Sequence, residues 1–94
     1  MENQRKIDIE KSIFDYNVIT VLTSLHGVCR GCCRKRNDGY LILIENTLSE
    51  DRMLQTVLHE LLHIVLGHLD DDVKTEEEKE LEVETILTGL SRWK

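Results

Sequence analysis

The sequence has no proline, no long hydrophobic run and no excess of positive charge. No apolar stretch approaches the roughly 18 residues that a membrane span needs, so we expect no contact with a membrane. The first residues, MENQRKIDIEK, carry mixed charges and lack the apolar centre of a secretion signal. Three cysteines, an odd number, cannot all pair within the chain, which is typical of a reducing compartment. We therefore expect a cytoplasmic protein.

Length and charge narrow the class of protein further. The 94 residues suffice for one small domain, which we expect to span residues 1–94. Charged residues make up 32% and hydrophobic residues 40%, a balance typical of a folded globular protein. The net charge of -6 argues against direct nucleic-acid binding by bulk electrostatics. In so small a domain, a bound metal would contribute to folding as well as to chemistry.

The N-terminal half of the chain alternates short apolar segments with turn signals. Apolar residues within 2–16 predict a short N-terminal helix, and the β-branched segment 17–25 predicts a strand. Residues 27–36 are expected to pass from a loop into a strand. The apolar run 40–45 is short enough for a buried strand, and Asn-Asp-Gly at 37–39 is a turn signal. Residues 27–36 and the strand at 40–45 are therefore expected to form a hairpin closed at 37–39.

The C-terminal half has helical periodicity. Ser49 is a candidate helix N-cap, and apolar residues then recur at helical spacing as far as Gly67. Thr75 and Glu78 have the spacing of a capping box at the start of a second helix. We predict an α+β domain with a short N-terminal helix, a two- to three-stranded sheet and two helices.

The first of these helices contains VLHELLHIVLGH, in which His59, Glu60 and His63 have the spacing H-E-x-x-H. Residues four apart emerge from one face of a helix, so both imidazoles can reach one ion. Glu60 lies on the adjacent flank, where a carboxylate can take a proton from metal-bound water. We therefore predict a zinc centre with His59 and His63 as metal ligands and Glu60 as the catalytic residue. The alternative is a pair of ordinary helix histidines, hydrogen-bonded and inert.

His68 is one candidate for a third ligand. In a continuous helix it lies about 140° around the axis from His63 and faces away from the metal. A return of the chain, as in H-E-x-x-H-x-x-G-x-x-H, would need glycine and histidine where this chain has Leu66 and Leu69. We therefore expect His68 to belong to the helix C-terminus and not to bind the metal.

A carboxylate of the second helix is the other source of a third ligand, as in sites with two histidines and one glutamate. The helical wheel places Glu80 closest to the apolar stripe, with Glu82 at one edge and Glu84 at the other. Periodicity alone does not choose among the three.

The motif and its surroundings resemble the ImmA/IrrE family of metallopeptidases. The likeness covers GYLILIENTLSEDRMLQTVLHELLHIVLGHL (39–69) and EKELEVETILTGL (78–90), about half of the chain. In that family a strand is followed by Leu-Ser, by a helix with H-E-L-x-H, and by a glutamate in a pattern like E-A-N-x-F-A. Here EVETIL stands at the last pattern, from which Val83, Glu84 and the pair Ile86-Leu87 depart.

The resemblance implies a gluzincin-like, zincin-type domain that binds one Zn²⁺ per chain. The family pattern implies that His59 and His63 are metal ligands and that Glu60 is the general base. It assigns the third ligand to Glu82, with Glu80 and Glu84 as alternatives. It also implies that the protein hydrolyses a peptide bond in a partner, such as a transcriptional repressor of a phage or mobile element.

Three cysteines lie close together in the chain, at Cys29, Cys32 and Cys33. A C-x-x-C metal knuckle normally has a second pair elsewhere, and this sequence has none. We therefore interpret these cysteines as small, half-buried hydrophobic residues.

Two functions are compatible with these observations. The first is a zinc metalloendopeptidase that acts on a protein or peptide substrate. The second is a non-catalytic, zinc-stabilised module that docks on a partner protein. A metal-free scaffold with ordinary core histidines is a third hypothesis. A structural zinc site is closed by a fourth protein ligand, whereas a catalytic site keeps an open position.

Overall fold

Three strands form one sheet in the N-terminal half of the chain. The computed structural model describes residues 15–91. Strand β1 is Val18–Thr23, β2 is Gly31–Arg36 and β3 is Gly39–Glu45. The strand order is β1-β3-β2, in which β3 is parallel to β1 and antiparallel to β2. The predicted hairpin is confirmed, while the helix predicted over 2–16 lies almost wholly outside the described residues.

The first helix of the described chain, α1, is Glu50–Val65. It begins at Ser49, whose Oγ accepts a hydrogen bond from the backbone N–H of Arg52 at 3.3 Å, as the N-cap prediction requires. Beyond its end, Gly67 adopts a left-handed φ of 75°. The chain turns there into a single 3₁₀ turn, His68–Asp70, because glycine accepts this conformation without steric cost.

The second helix, α2, is Glu76–Ser91. The capping box at its start is confirmed by two reciprocal hydrogen bonds. The Glu78 N–H donates to Thr75 Oγ1 at 3.1 Å, and the Thr75 N–H donates to Glu78 Oε1 at 2.7 Å. These bonds define the residue at which α2 begins and so the direction in which each later side chain points.

One face of the sheet packs against α1, and α2 packs against α1 in turn. Alternate residues of β3 are buried, as expected for a strand with one covered face, and Ile42 and Ile44 have no exposed surface. These two isoleucines belong to a buried hydrophobic cluster. Its members are Val18, Ile42, Ile44, Leu61 and Ile64. This arrangement confirms the predicted α+β fold and leaves α1 between the sheet and α2.

Gly31 lets the edge strand β2 approach α1 closely. A Cβ atom at this position would lie 2.5 Å from Thr56 Cγ2 and 3.1 Å from the Leu43 carbonyl oxygen. Any side chain here would push β2 away from the helix, so the glycine brings the strand beside the H-E-x-x-H segment. Within residues 15–91, no helix combines the length and apolar character needed to cross a membrane.

Candidate metal centre

Two histidines of α1 bring their ring nitrogens together. His59 and His63 are about one helical turn apart, and their Nε2 atoms are 3.3 Å from each other. The rings meet edge to face, with centroids 5.0 Å apart. His63 is buried, while His59 is half-buried and borders a cleft. The helix therefore directs a pair of nitrogen donors to one point.

A carboxylate of α2 joins this pair. Glu80 Oε1 is 3.0 Å from His59 Nε2, and Glu80 Oε2 is 2.9 Å from His63 Nε2. Each of the three residues offers one atom to a group whose atoms all lie within 4.8 Å of one another. Two imidazoles and one carboxylate form the protein donor set of many catalytic zinc sites. We call His59, His63 and Glu80 the donor group.

The structure places Glu82 away from the donor group, on the opposite flank of α2. Its Oε1 is 2.6 Å from His68 Nε2, and Lys74 Nζ donates to its two oxygens at 2.9 and 3.1 Å. Two residues along an α-helix correspond to a rotation of about 200°, so Glu80 and Glu82 cannot face the same point. Against the assignment of the family pattern, Glu80 and not Glu82 therefore faces the histidine pair.

Glu84 lies one turn beyond Glu80, on the same side of α2. Its Oε2 is 3.3 Å from His59 Nδ1, which is the ring nitrogen that points away from Glu80. A carboxylate at that nitrogen orients the ring and leaves its Nε2 atom to Glu80. Glu84 is thus a neighbour of the donor group and not one of its members.

His68 is buried beside the donor group, although the sequence predicts that it faces away. It is 3% exposed, and its Nδ1 is 2.9 Å from His63 Nδ1. The prediction assumed a continuous helix, but α1 ends at Val65 and the left-handed Gly67 reverses the chain. The sequence contains the signal for this turn, since Gly67 directly precedes His68 and a glycine commonly ends a helix.

Glu60 lies on the flank of α1 that faces β2, where it is buried. The thiol of Cys33, on β2, lies beside the Glu60 carboxylate, and both line the smaller of two clefts at this site. Burial, and then the negative charge of Glu60, raise the pKa of this thiol far above its ordinary value. Cys33 is therefore a neutral thiol next to Glu60 at neutral pH. Sequence reasoning missed this contact because it depends on how β2 packs against α1.

Burial also acts on His63. It lowers the pKa of this imidazole below the ordinary value of 6.5, and it outweighs the opposite effect of Glu80 and Glu60. The ring is therefore neutral at neutral pH. A neutral imidazole has one nitrogen with a free lone pair, which is the form that binds a metal.

Two clefts meet at Glu60, which lines both of them. The larger has a volume of about 700 Å³ and lies between α1, α2 and the start of β2. The smaller, of about 360 Å³, lies between β2, the 3₁₀ turn and the first turns of α2. Residues that border the larger cleft include Arg30, Leu54, Leu58, His59, Glu84 and Leu87. His59 borders the larger cleft, whereas His63 and Glu80 border the smaller one, so the donor group lies between the two clefts.

These features together define a class of protein. An α+β domain in which an H-E-x-x-H helix and a glutamate of the next helix converge is a metallopeptidase-like domain. A family model described as Peptidase_M78, the IrrE N-terminal-like domain, matches residues 21–88. This match covers more than two thirds of the chain, so the protein belongs to that family of zinc-dependent metallopeptidase-like proteins. Comparisons with curated proteins and with solved structures returned no match.

Proposed function

We propose that this protein is a zinc metalloendopeptidase in which the donor group holds the ion. The observation that carries the proposal is the convergence of donor atoms from two helices, at separations of 2.9, 3.0 and 3.3 Å. Ligands at about 2.0–2.1 Å from a tetrahedral zinc are about 3.3–3.4 Å apart. The donor group therefore has nearly the dimensions of a zinc site, and its atoms match the ligands that zinc prefers.

Glu60 acts as the general base in this proposal. A zinc ion at the donor group would polarise the peptide carbonyl and lower the pKa of the attacking water towards about 7. Glu60 lies where the two clefts meet, so its carboxylate can take a proton from that water and return it to the departing amine nitrogen. The neutral Cys33 thiol borders the smaller cleft together with Glu60, His63 and Glu80.

An open coordination position supports catalysis over a purely structural zinc. Within residues 15–91, the group that could hold an ion has three protein donors. A tetrahedral ion bound by three protein ligands keeps one position for water or substrate. Glu84 does not close this position, since it contacts the outer nitrogen of His59. A non-catalytic, zinc-stabilised docking module would instead need a fourth protein ligand at this coordination position.

The larger cleft supports a protein substrate. It borders both His59 and Glu60 and has a volume of about 700 Å³, which accommodates several residues of an extended peptide. From membership of the family we propose that the natural substrate is a transcriptional repressor of a phage or mobile element, cleaved in the cytoplasm. Recognition would be by protein–protein contact and not by binding to nucleic acid, in keeping with the net charge of -6.

Metal content per chain tests the ligand set. Elemental analysis should find about one zinc in the wild type and in the control Glu77→Ala, which removes an exposed charge from the same helix. His63→Ala and Glu80→Ala should lose the metal, whereas Glu82→Ala should retain it when zinc is in excess. Retention in Glu80→Ala together with loss in Glu82→Ala would return the third ligand to Glu82.

Cleavage of a candidate repressor tests the reaction. The repressor is incubated with zinc-loaded protein, and new chain ends are identified by mass spectrometry. Glu60→Gln should retain zinc and lose activity by about 10²–10⁴-fold, the usual contribution of a general base. If Glu60→Gln still relieves repression in cells and no fragment forms, the protein acts by docking.

A further inference from the structure

Cys29 and Cys32 lie close together where the chain enters β2. They have the spacing C-x-x-C, and the chain bends at Arg30, between them. The bend brings the two side chains to one place, where the Cys32 thiol lies beside that of Cys29. Both are free thiols. The fold therefore holds two reduced sulfur atoms within reach of each other.

The two thiols differ in their access to solvent. Cys29 is exposed, whereas Cys32 is half-buried. Burial, and then the neighbouring Cys29, raise the pKa of the Cys32 thiol. Cys29 is therefore the first to meet and attack a dissolved reagent. An exposed cysteine beside a less accessible one is the usual arrangement of a redox-sensitive pair, since the second thiol resolves the bond that the first one forms.

Cys33, the third cysteine, lies on a different side of β2. Its thiol lies beside Glu60, towards α1 and the hydrophobic core. Successive residues of a strand point to opposite faces, so Cys32 and Cys33 direct their thiols apart. A disulfide between these adjacent residues would strain the chain, because their side chains diverge. The structure therefore favours Cys32 as the partner of Cys29.

The pair lies at the border that the two clefts share. Arg30 and Gly31, which separate the cysteines, line the larger cleft, and Gly31 and Cys32 line the smaller one. The segment is held against the sheet, since the Glu45 N–H donates to the Arg30 carbonyl oxygen at 2.8 Å. A bond between the cysteines would close a ring around this part of both cleft walls.

We propose that Cys29 and Cys32 are a reversible redox pair, which a small-molecule disulfide such as oxidised glutathione converts to an intramolecular disulfide. The Cys29 sulfur first attacks one sulfur of oxidised glutathione, and a mixed disulfide forms as one glutathione leaves with the proton of Cys29. The Cys32 sulfur then attacks the Cys29 sulfur, and the second glutathione leaves with the proton of Cys32. Two cysteines are oxidised, and one glutathione disulfide is reduced to two thiols. This inference involves neither the proposed metal nor the proposed reaction.

Peptide mapping tests the pairing in the reduced, full-length protein. The protein is treated with oxidised glutathione at neutral pH, the remaining thiols are blocked with a maleimide, and trypsin is added. Trypsin cuts after Arg30 and Arg34, so a bond from Cys29 joins peptide 12–30 to peptide 31–34. The expected product is this linked pair with a blocked Cys33. A bond confined to peptide 31–34, or two chains joined through Cys29, would overturn the proposal.

Single substitutions distinguish the two possible partners of Cys29. Cys33→Ser is the matched control and should form the linked peptides as fast as the wild type. Cys32→Ser should stop at the mixed disulfide, with one glutathione on Cys29. A link to Cys33 that forms in Cys32→Ser at the wild-type rate would contradict the assigned pair. Fragmentation of the linked wild-type peptides locates the blocked cysteine, so the assignment can be made even where Cys33→Ser does not fold.

Two further measurements test the contribution of the fold and the reversibility of the bond. The second step should be faster in the folded protein than in urea, because the bend holds the thiols together. Equal rates with and without urea would show that the fold does not bring them together. An excess of reduced glutathione should reopen the bond, since exposed disulfides are the labile ones. A bond that reduced glutathione does not reopen would contradict a reversible pair.

Discussion

At the residue scale, each histidine of the donor group has a protein partner at both of its ring nitrogens. His59 contacts Glu80 through Nε2 and Glu84 through Nδ1. His63 contacts Glu80 through Nε2 and His68 through Nδ1. Because both sides of each ring are held, the orientation of the donors is established before an ion arrives. Less side-chain freedom is then lost on binding, which favours affinity.

The cysteines should differ in their rates of alkylation. Cys29 is exposed, whereas Cys33 is half-buried and keeps a neutral thiol because burial and Glu60 raise its pKa. Iodoacetamide reacts with the thiolate, so it should modify Cys29 first and Cys33 last. Glu60→Gln should accelerate the reaction at Cys33 and leave Cys29 unchanged. Peptide mass spectrometry over time provides the rates, and equal rates at Cys29 and Cys33 would contradict the contact with Glu60.

At the scale of secondary-structure elements, the position of the donor group depends on where α2 begins. A shift of the helix by one residue rotates its side chains by about 100°, which would carry Glu80 away from the histidines. The capping box of Thr75 and Glu78 lies one turn before Glu80 and specifies this start. A local hydrogen-bonding pattern therefore helps to position a residue of the donor group.

Removal of the cap should destabilise the domain. Thr75→Ala leaves the N–H of Glu78 without its side-chain acceptor and should lower the free energy of unfolding by about 1 kcal/mol. The matched control is Thr85→Ala, where the hydroxyl donates to the Leu81 carbonyl inside the same helix. Alanine has the higher helix propensity, so this variant should be as stable as the wild type or slightly more stable. Urea denaturation of the metal-free proteins measures both, and equal losses would exclude a specific effect of the cap.

The hydrogen bonds that Glu45 accepts at the end of β3 should weaken at low pH. Glu45 Oε1 accepts from the backbone N–H of Leu25 at 2.7 Å, and Oε2 accepts from Thr47 Oγ1 at 2.8 Å. The bond from Leu25, and then that from Thr47, lower the pKa of Glu45 below 4.5. A carboxyl whose pKa is lower in the folded state stabilises the fold above its unfolded pKa. This contribution disappears as the pH falls through the folded value.

Glu45→Gln should therefore be less stable than the wild type at neutral pH. The difference between the two should shrink as the pH falls below about 4.5, because the wild-type carboxyl then becomes protonated as well. Urea midpoints measured at a series of pH values provide the comparison. A difference that stays constant across the series would show that Glu45 acts only through its shape and neutral hydrogen bonds.

At the scale of the whole molecule, the donor group lies where the layers of the domain meet. The helix α1 provides the two histidines and α2 provides Glu80, while β2 brings Cys33 to Glu60. The hydrophobic core is small, so an ion that links α1 to α2 should add a substantial share of the stability. Metal binding and folding are thus expected to be coupled.

Zinc should raise the melting temperature of the wild type. A free zinc concentration of about 100 times the Kd adds about 2.7 kcal/mol, which corresponds to roughly 10–20 °C for a domain of this size. Thermal unfolding followed by circular dichroism, with zinc or with a chelator, measures the shift. His63→Ala should show none. A shift of equal size in His63→Ala would mean that zinc binds elsewhere.

The reliable sequence predictions concern interactions within a few residues. The N-cap at Ser49, the capping box at Thr75 and the hairpin around 37–39 each depend on neighbouring residues, and the structure has all three. The parallel pairing of β1 with β3 was not predicted, because it joins segments that are distant along the chain. The same holds for the contact of Cys33 with Glu60. The position of His68 depends on a local signal, because the left-handed Gly67 turns the chain directly before it. The contact of His68 with His63 depends on packing as well.

The sequence alone established the H-E-x-x-H helix and the common face of His59 and His63, because both follow from the period of an α-helix. It also limited the third donor to the glutamates of α2. Which of these glutamates lies at the histidine pair depends on the rotation of α2 against α1, and the folded chain places Glu80 there instead of Glu82 or Glu84. Packing between the helices sets this rotation, and residues far apart along the chain produce that packing.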